Sequence, residues 1–299
     1  MKHWIQAARL RTLPLSLSGI IVGSFYAMSQ SMFNWKIILF AFTTTLGFQV
    51  VSNFANDYGD GVKGTDNEDR VGPTRAIQSG AISPKAMKKA IVLTSIVTLI
   101  SALVLIYFSF EEKYLLYSLV FFTLGILAIA SAIRYTVGSG AYGYRGFGDV
   151  FVFVFFGLVS TLGIYFMYAK KIDLILLLPA TAIGLLSVGV LNLNNMRDES
   201  SDRKANKNTI VVKIGGAKAK KYHFFLIVSA MVLMVIFAVL LHFKWEQYLF
   251  VFVYIPLIKH LIRVYKNQES RLLDPELKKL ALSTFALSVL LSLGLICFI

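Results

Sequence analysis

Cysteine and histidine are scarce in this sequence. Its 299 residues include one cysteine and four histidines. The single Cys297 excludes an intramolecular disulfide, and the scattered histidines show no metal-ligand spacing. Acidic residues are also few, with 16 Asp and Glu against 30 Lys and Arg. The sequence therefore excludes a disulfide-stabilised domain and a metal centre built from Cys and His.

Apolar residues dominate instead. Hydrophobic residues make up 57% of the chain and the mean hydropathy is +0.68, well above the roughly 45–50% apolar share of a soluble domain. A membrane-spanning helix needs about 20 apolar residues. The sequence predicts an all-α polytopic membrane protein, a bundle of nine transmembrane helices forming a single domain over residues 1–299. The predicted spans are 12–30, 36–55, 86–109, 114–133, 149–168, 173–194, 222–241, 247–265 and 280–298.

The basic residues predict the orientation of these spans. Lys and Arg concentrate in cytoplasmic loops of membrane proteins, and a cytoplasmic N-terminus with an outer C-terminus puts most of the 30 basic residues inside. The net charge is +14. We interpret the basic residues that cause it as signals of membrane topology and as neighbours of lipid headgroups, and we expect no nucleic acid partner. Pro14 and the lack of a small-residue cleavage site indicate a retained first span rather than a signal peptide. The expected location is a bacterial cytoplasmic membrane.

Two long internal loops, 56–85 and 195–221, each carry a carboxylate pair. On a continuing helix Asp57 and Asp60 lie about 60° apart, and Asp198 and Asp202 about 40° apart, so each pair shares one face. A single such pair is usually a helix cap or a solvated face. Two pairs on the same side of the membrane favour a bound cation, since clustered carboxylates repel one another. Mg²⁺ suits such oxygen ligands, and the candidate ligands are Asn56, Asp57, Asp60, Asp66, Asp198 and Asp202.

Basic residues accompany both pairs, and such cations can hold phosphate oxygens directly. Acidic residues, basic residues and lipid-facing helices together indicate a phosphorylated lipid as the substrate. Gly59, Gly61 and Gly64 are expected to let the first loop turn over a diphosphate. The candidate cations are Lys63, Arg70, Arg75, Lys204 and Lys207.

Several polar residues lie deeper in apolar helices. Asn53, Asn192 and Asn195 either line a polar cavity or hydrogen-bond between helices, because unpaired amides in an apolar medium are costly. Tyr135 stands at the inner end of a predicted span. Its ring face suits a cation, while a place in an interfacial aromatic belt is equally compatible with the sequence.

The motifs NDYGDGVKGTD and RDESSD resemble those of the UbiA superfamily of intramembrane aromatic prenyltransferases. Longer segments, among them GYRGFGDVFVFVFFG and NLNNMRDESSDRKANKNTIVVKIGG, resemble the branch that acts on 1,4-dihydroxy-2-naphthoate in menaquinone biosynthesis. The resemblance covers nearly the whole chain. It departs from the wider superfamily pattern at Gly64, where a third aspartate is usual, with Asp66 the nearest substitute.

The resemblance implies a mechanism. Magnesium held by both motifs would bind the diphosphate of a polyprenyl diphosphate, and Asp60 and Asp198 are the expected catalytic aspartates. The naphthoate ring would then attack the carbocation-like prenyl carbon, which Tyr135 would shield, and lose carbon dioxide. Arg145, or Arg9 and Arg11, would hold the carboxylate of the acceptor.

Two rival functions follow from the same residues. One is prenyl transfer to another acceptor, such as 4-hydroxybenzoate, homogentisate or haem. The other is an ion-coupled transporter. A transporter needs polar groups near the middle of the membrane, whereas here they crowd on one side, which favours an enzyme.

Overall fold

The computed structural model describes residues 1–66 and 71–297, without the side chain of Arg11. Within these residues the chain is helical and has no strand. Short 3-10 turns join or begin several of the helices. The helices are α1 (Lys2–Ala8), α2 (Leu13–Ser29), α3 (Trp35–Val62), α4 (Pro84–Phe110), α5 (Leu115–Arg134), α6 (Gly148–Ala169), α7 (Leu177–Arg197), α8 (Glu199–Lys204), α9 (Ile210–Ile214), α10 (Gly216–Leu240), α11 (Tyr254–Lys266) and α12 (Asp274–Cys297).

The predicted number of spans agrees with the described helices. Eight helical segments are long and apolar enough to cross a membrane, and the bent pair α1 and α2 gives the ninth. The bend occurs at Arg9, whose φ of 52° lies in the left-handed region. All-α architecture is thus confirmed for the described residues.

The predicted boundaries were wrong at one end of four spans. Helix α10 begins at Gly216 rather than residue 222, and α12 begins at Asp274 rather than residue 280. Helix α3 continues to Val62 rather than residue 55, and α7 continues to Arg197 rather than residue 194. The predicted loop 195–221 contains α8, α9 and the start of α10. Acids and glycines ended the apolar pattern of α3, and Asn195 and Arg197 ended that of α7, before the helices themselves ended.

Side-chain caps explain where three helices begin. The side chain of Asn34 accepts a hydrogen bond from the backbone N–H of Lys36 at the start of α3. The side chain of Ser83, the residue before Pro84, accepts a hydrogen bond from the backbone N–H of Ala86 at the start of α4. The side chain of Thr209 accepts one from the backbone N–H of Val212 at the start of α9. Each cap satisfies one of the backbone donors that a helix start leaves without a partner.

A glycine C-cap ends α3 and explains the departure at Gly64. Gly64 has φ 70°, its N–H donates to the carbonyl of Gly61, and Thr65 N–H donates to the carbonyl of Asp60 at 3.0 Å. This is the pairing of a Schellman motif, which favours glycine at the left-handed position. The motif turns the chain so that Asp66 lies beside the end of α3, where it is buried.

The expected role of Gly59 and Gly61 as loop hinges was wrong, because both lie inside α3. A Cβ at Gly59 would stand 2.5 Å from Thr136 Oγ1, and one at Gly61 would stand 2.7 Å from Ile77 Cγ2. These two glycines therefore allow close packing of α3 rather than a turn.

Helix α7 is the most buried span and α5 the least. Helix α7 packs against α6, α10 and α12, while α2 packs between α6 and α12, and α3 packs along α4. Residues 153–159 of α6 form a π-helical stretch, where a Cβ at Gly157 would stand 2.5 Å from the Ala180 carbonyl oxygen. Because α3 and α7 both end at the same end of the bundle, we call it the motif end.

Candidate active site

A cavity of about 1030 Å³ runs into the bundle from the motif end. Its motif end is polar, and its deeper part is lined by apolar side chains from α3, α4, α5 and α6. The predicted site residues that line it are Asn53, Asn56, Asp57, Asp60, Arg75, Tyr135, Asn195 and Lys207. A charged headgroup and an apolar chain would therefore meet different parts of one cavity.

The first acidic motif lies on the last turns of α3. The carboxylate of Asp57 accepts hydrogen bonds from the backbone N–H groups of Ala76 (3.2 Å) and Ile77 (3.3 Å), so it also orders the segment after the motif. Asp60 accepts a hydrogen bond from the Tyr144 hydroxyl at 2.7 Å. Both carboxylates are buried.

The second acidic motif begins where α7 ends. Arg197 binds both oxygens of Asp198, with Nε to Oδ1 at 2.9 Å and Nη2 to Oδ2 at 2.6 Å. Asp202 lies one turn further on in α8. Both aspartates are buried.

The two motifs meet at a small second cavity of about 20 Å³. Four carboxylates line it, two from each motif: Asp60, Asp66, Asp198 and Asp202. Space of this size admits about one water-sized group. The structure therefore brings together acids that are separated by more than a hundred residues in the sequence.

Lys207 lies between the two motifs. Its Nζ is 3.8 Å from Asp60 Oδ2 and 3.5 Å from Asp202 Oδ1. Burial lowers the pKa of Lys207, but the carboxylates of Asp60 and Asp202 outweigh it and raise that pKa above its usual value. Burial raises the pKa of Asp202 to about 6, and Lys207 opposes this rise. Lys207 therefore remains a cation.

Tyr144, which the sequence did not reveal, joins a third segment to the site. Besides Asp60, its hydroxyl contacts Thr65 Oγ1 at 2.6 Å, and its carbonyl accepts the backbone N–H of Asn208. The ammonium of Lys63 lies 4.1 Å from its ring centroid. The sequence of this segment, RYTVGSGAYGYRGFG at 134–148, gave no sign that this tyrosine reaches an aspartate.

Tyr135 lines the cavity at the end of α5. Its ring contacts that of Tyr142 edge to face, with centroids 5.3 Å apart, and Gly143 and Gly148 leave room for it, since a Cβ at either would fall within 3.0 Å of Tyr135 atoms. Burial raises the pKa of Tyr135 to about 12. The residue is therefore a neutral phenol at physiological pH.

Other predicted residues lie elsewhere. Arg145 and Lys204 are exposed, outside the residues that line either cavity. Asn192 donates to the carbonyl of Ala219 in α10 at 3.1 Å, so it joins two helices. Arg70 lies outside the described residues. Arg9, by contrast, lines the large cavity.

Arg197, one of the basic residues that accompany the second motif in the sequence, has a role that the sequence did not predict. It is only 1% exposed and pairs with Asp274 at the start of α12 as well as with Asp198. It also donates to Asn194 Oδ1 at 2.9 Å. In the sequence, an arginine at the end of an apolar helix resembles a topology signal. Only its contact with the distant Asp274 shows that it belongs to a buried ion pair.

The donor set fits a hard cation such as Mg²⁺. Its members are carboxylate and amide oxygens, and among the described residues Asp202 Oδ2 and Asn56 Oδ1 are buried without a hydrogen-bond partner. Within the same residues no three acidic, His or Cys side chains converge closely enough to hold a cation alone. Mg²⁺ usually completes its shell with water and substrate phosphates, so a cation here would also be bound by oxygens from water or the substrate.

The fold and this site define a polytopic membrane enzyme with a charged site above an apolar cavity. The family model of the UbiA prenyltransferase family matches residues 16–289. The chain therefore belongs to the UbiA prenyltransferase family, and it is a multi-pass cell-membrane prenyltransferase.

Two bacterial relatives cover almost the whole chain. The 1,4-dihydroxy-2-naphthoate octaprenyltransferase of Haemophilus influenzae is 43% identical, over 99% of this chain and 96% of the relative. The enzyme of the same description from Escherichia coli is 39% identical, over 98% of this chain and 94% of the relative. An apo structure of a UbiA homolog from Aeropyrum pernix has the same fold, with a TM-score of 0.70 at 15% identity over 97% of this chain and 98% of that one.

Proposed function

We propose that this prenyltransferase moves a polyprenyl group from polyprenyl diphosphate to 1,4-dihydroxy-2-naphthoate, with Mg²⁺ bound and with loss of carbon dioxide. The observation that carries the proposal is the small cavity lined by four carboxylates from two distant motifs. The descriptions of the bacterial relatives support the acceptor. The direct product would be demethylmenaquinol, because the transfer oxidises nothing, and later oxidation of this quinol would give demethylmenaquinone.

Residues at the motif end would bind the diphosphate. Asn56, Asp57, Asp60, Asp66, Asp198 and Asp202 would hold Mg²⁺, which when bound would offset charge developing on the diphosphate. Lys207 and Arg75 line both cavities and would donate directly to phosphate oxygens. Asp66 Oδ2 lies 3.8 Å from Arg75 Nε, so Asp66 would also orient the Arg75 guanidinium.

The prenyl carbon would lie just below this headgroup. Its bond to the diphosphate oxygen breaks, and the electron-rich ring carbon that bears the carboxylate forms the new bond. The carboxylate then leaves as carbon dioxide, and the electron pair of its bond to the ring restores the aromatic system. The ring face of Tyr135 would stabilise positive charge on the prenyl carbon. The neutral phenol adds no competing charge there.

Arg9 is the candidate for binding the acceptor carboxylate. It lines the same cavity as Asn53, whose Nδ2 donates to the carbonyl of Ala8 at 2.9 Å and so fixes the chain just before Arg9. A guanidinium binds a carboxylate with two hydrogen bonds. Arg145 is exposed, and the side chain of Arg11 lies outside the described residues.

Purified protein in detergent, with labelled prenyl diphosphate, tests the proposal. We expect product with 1,4-dihydroxy-2-naphthoate, release of diphosphate and carbon dioxide in equal amounts, and loss of all three with a magnesium chelator. Good turnover of 4-hydroxybenzoate without a naphthoate product would instead establish the rival acceptor class.

Two variants test the roles of the motifs in the same assay. Asp60→Asn and Asp202→Asn should each lower kcat by at least about 100-fold, the usual effect of removing one charge-stabilising group. Glu112→Gln is the matched control, because Glu112 is exposed at the opposite end of the bundle. Near-normal turnover in both Asp variants would contradict the assignment.

A further inference from the structure

The large cavity extends far beyond its charged end. It is lined by Asp60 near the inner end of α3 and by Ala41 near the outer end, a separation of about 28 Å along a helix. Leu105 of α4 and Met167 of α6, both close to the outer ends of their helices, line its far part. The cavity therefore crosses most of a hydrocarbon layer about 30 Å thick.

Four aromatic rings lie together at the far end of this cavity. Phe121 lines the cavity, and its ring centroid is 5.1 Å from that of Phe110 and 5.8 Å from that of Phe166. Tyr117 contacts Phe166 edge to face at 5.0 Å. Phe110 is only 1% exposed. We call Phe110, Tyr117, Phe121 and Phe166 the aromatic floor.

Small residues keep the passage above the aromatic floor open. Gly125, Ala128 and Gly163 line it. A Cβ at Gly163 would stand 3.7 Å from the Phe121 ring, and one at Gly125 would stand 4.0 Å from the Phe48 ring. These positions have room for a methyl group, so close helix packing does not require glycine there, and glycine is unfavourable inside a helix. A larger side chain at either position would project into the cavity.

We propose that Phe121, backed by the rest of the aromatic floor, determines which prenyl chain lengths the enzyme prefers. This inference rests on the proposed function, because it assigns the apolar cavity to the donor tail. A short tail fits between the diphosphate site and the floor. A longer tail meets Phe121 and must bend aside between helices or into lipid.

Donor competition tests this inference. The measured quantity is the ratio of kcat/KM for octaprenyl diphosphate to that for farnesyl diphosphate, with the naphthoate as acceptor. Phe121→Ala should raise the ratio roughly tenfold and Gly163→Leu should lower it roughly tenfold, within the range that one altered pocket contact supplies. Phe252→Ala is the matched control, since Phe252 is 68% exposed on another span, and it should leave the ratio unchanged.

A binding measurement separates this inference from the proposed function. The measured quantity is the rise in Tm that each donor gives in the presence of Mg²⁺ and without acceptor. In each variant the rise given by octaprenyl diphosphate, relative to that given by farnesyl diphosphate, should change in the same direction as the kcat/KM ratio. Should the wild-type protein form no naphthoate product while donor protection shifts as expected, the proposed function fails and the floor stands. The inference would be overturned if neither the kcat/KM ratio nor the protection by donor changed in Phe121→Ala and in Gly163→Leu. If Gly163→Leu does not fold, Gly125→Leu replaces it in this test.

Discussion

At the scale of single residues, Lys207 has the least interchangeable position. Its ammonium lies within 4 Å of carboxylates from both motifs and is buried. It offsets the negative charge of these carboxylates, which would otherwise repel one another. When a diphosphate binds, the same ammonium would donate to its oxygens.

Replacement of Lys207 tests this role. Lys207→Met should lower kcat/KM for the donor by about 100-fold or more, because it removes a preorganised cation from the place where charge develops. Lys207→Arg should retain part of the activity. The matched control is Lys221→Met, at an exposed position on α10. Equal activity of Lys207→Met and wild type would contradict the role.

Arg9 and Arg145 give a second test at this scale. Arg9→Gln should raise KM for the naphthoate by roughly 10- to 100-fold, the effect of losing a charge-assisted hydrogen bond, with little change in KM for the donor. Arg145→Gln should change neither constant, because its side chain is exposed. The opposite pattern would move the acceptor carboxylate to the segment around Arg145.

At the scale of elements, the end of α3 determines how the first motif is presented. The Schellman pairing at Gly64 lets Thr65 and Asp66 turn back toward Asp60. Thr65 then reaches Tyr144, and Asp66 lines the small cavity. A third aspartate at position 64 itself would occupy the left-handed residue of this turn.

Substitutions at Gly64 measure the importance of this turn. Gly64→Ala should lower the free energy of unfolding by about 1 kcal/mol, since a Cβ is unfavourable at positive φ, and Gly64→Asn should cost less. Gly140→Ala is the control, because Gly140 has open space and no positive φ. Thermal unfolding in detergent gives the comparison, and equal Tm values for Gly64→Ala and Gly140→Ala would refute the role of the turn.

At the scale of the whole molecule, hydropathy predicted the spans well because each of the long helices carries a long apolar run. It could not predict that α3 and α7 continue past those runs, since the polar residues at their ends resemble loop sequence. The Asp pairs were identifiable from their spacing. The partners Tyr144 and Asp274 were not, because only tertiary packing brings them to Asp60 and Arg197.

The orientation in the membrane is a prediction at this scale. A cytoplasmic N-terminus and an outer C-terminus put exposed Cys297 outside and Lys204 inside. In intact cells a membrane-impermeant maleimide should label the wild-type Cys297. It should not label Lys204→Cys in a Cys297→Ser background until the membrane is opened. The reverse labelling pattern would invert the topology.

The most direct measurement of the central claim is a structure with a non-reactive prenyl thiolodiphosphate and Mn²⁺, whose anomalous signal locates the cation. The account predicts cations coordinated by carboxylates of both motifs and bridged by one diphosphate beside Lys207. Cations held by one motif alone, or a diphosphate in a cavity that the other motif does not reach, would contradict it.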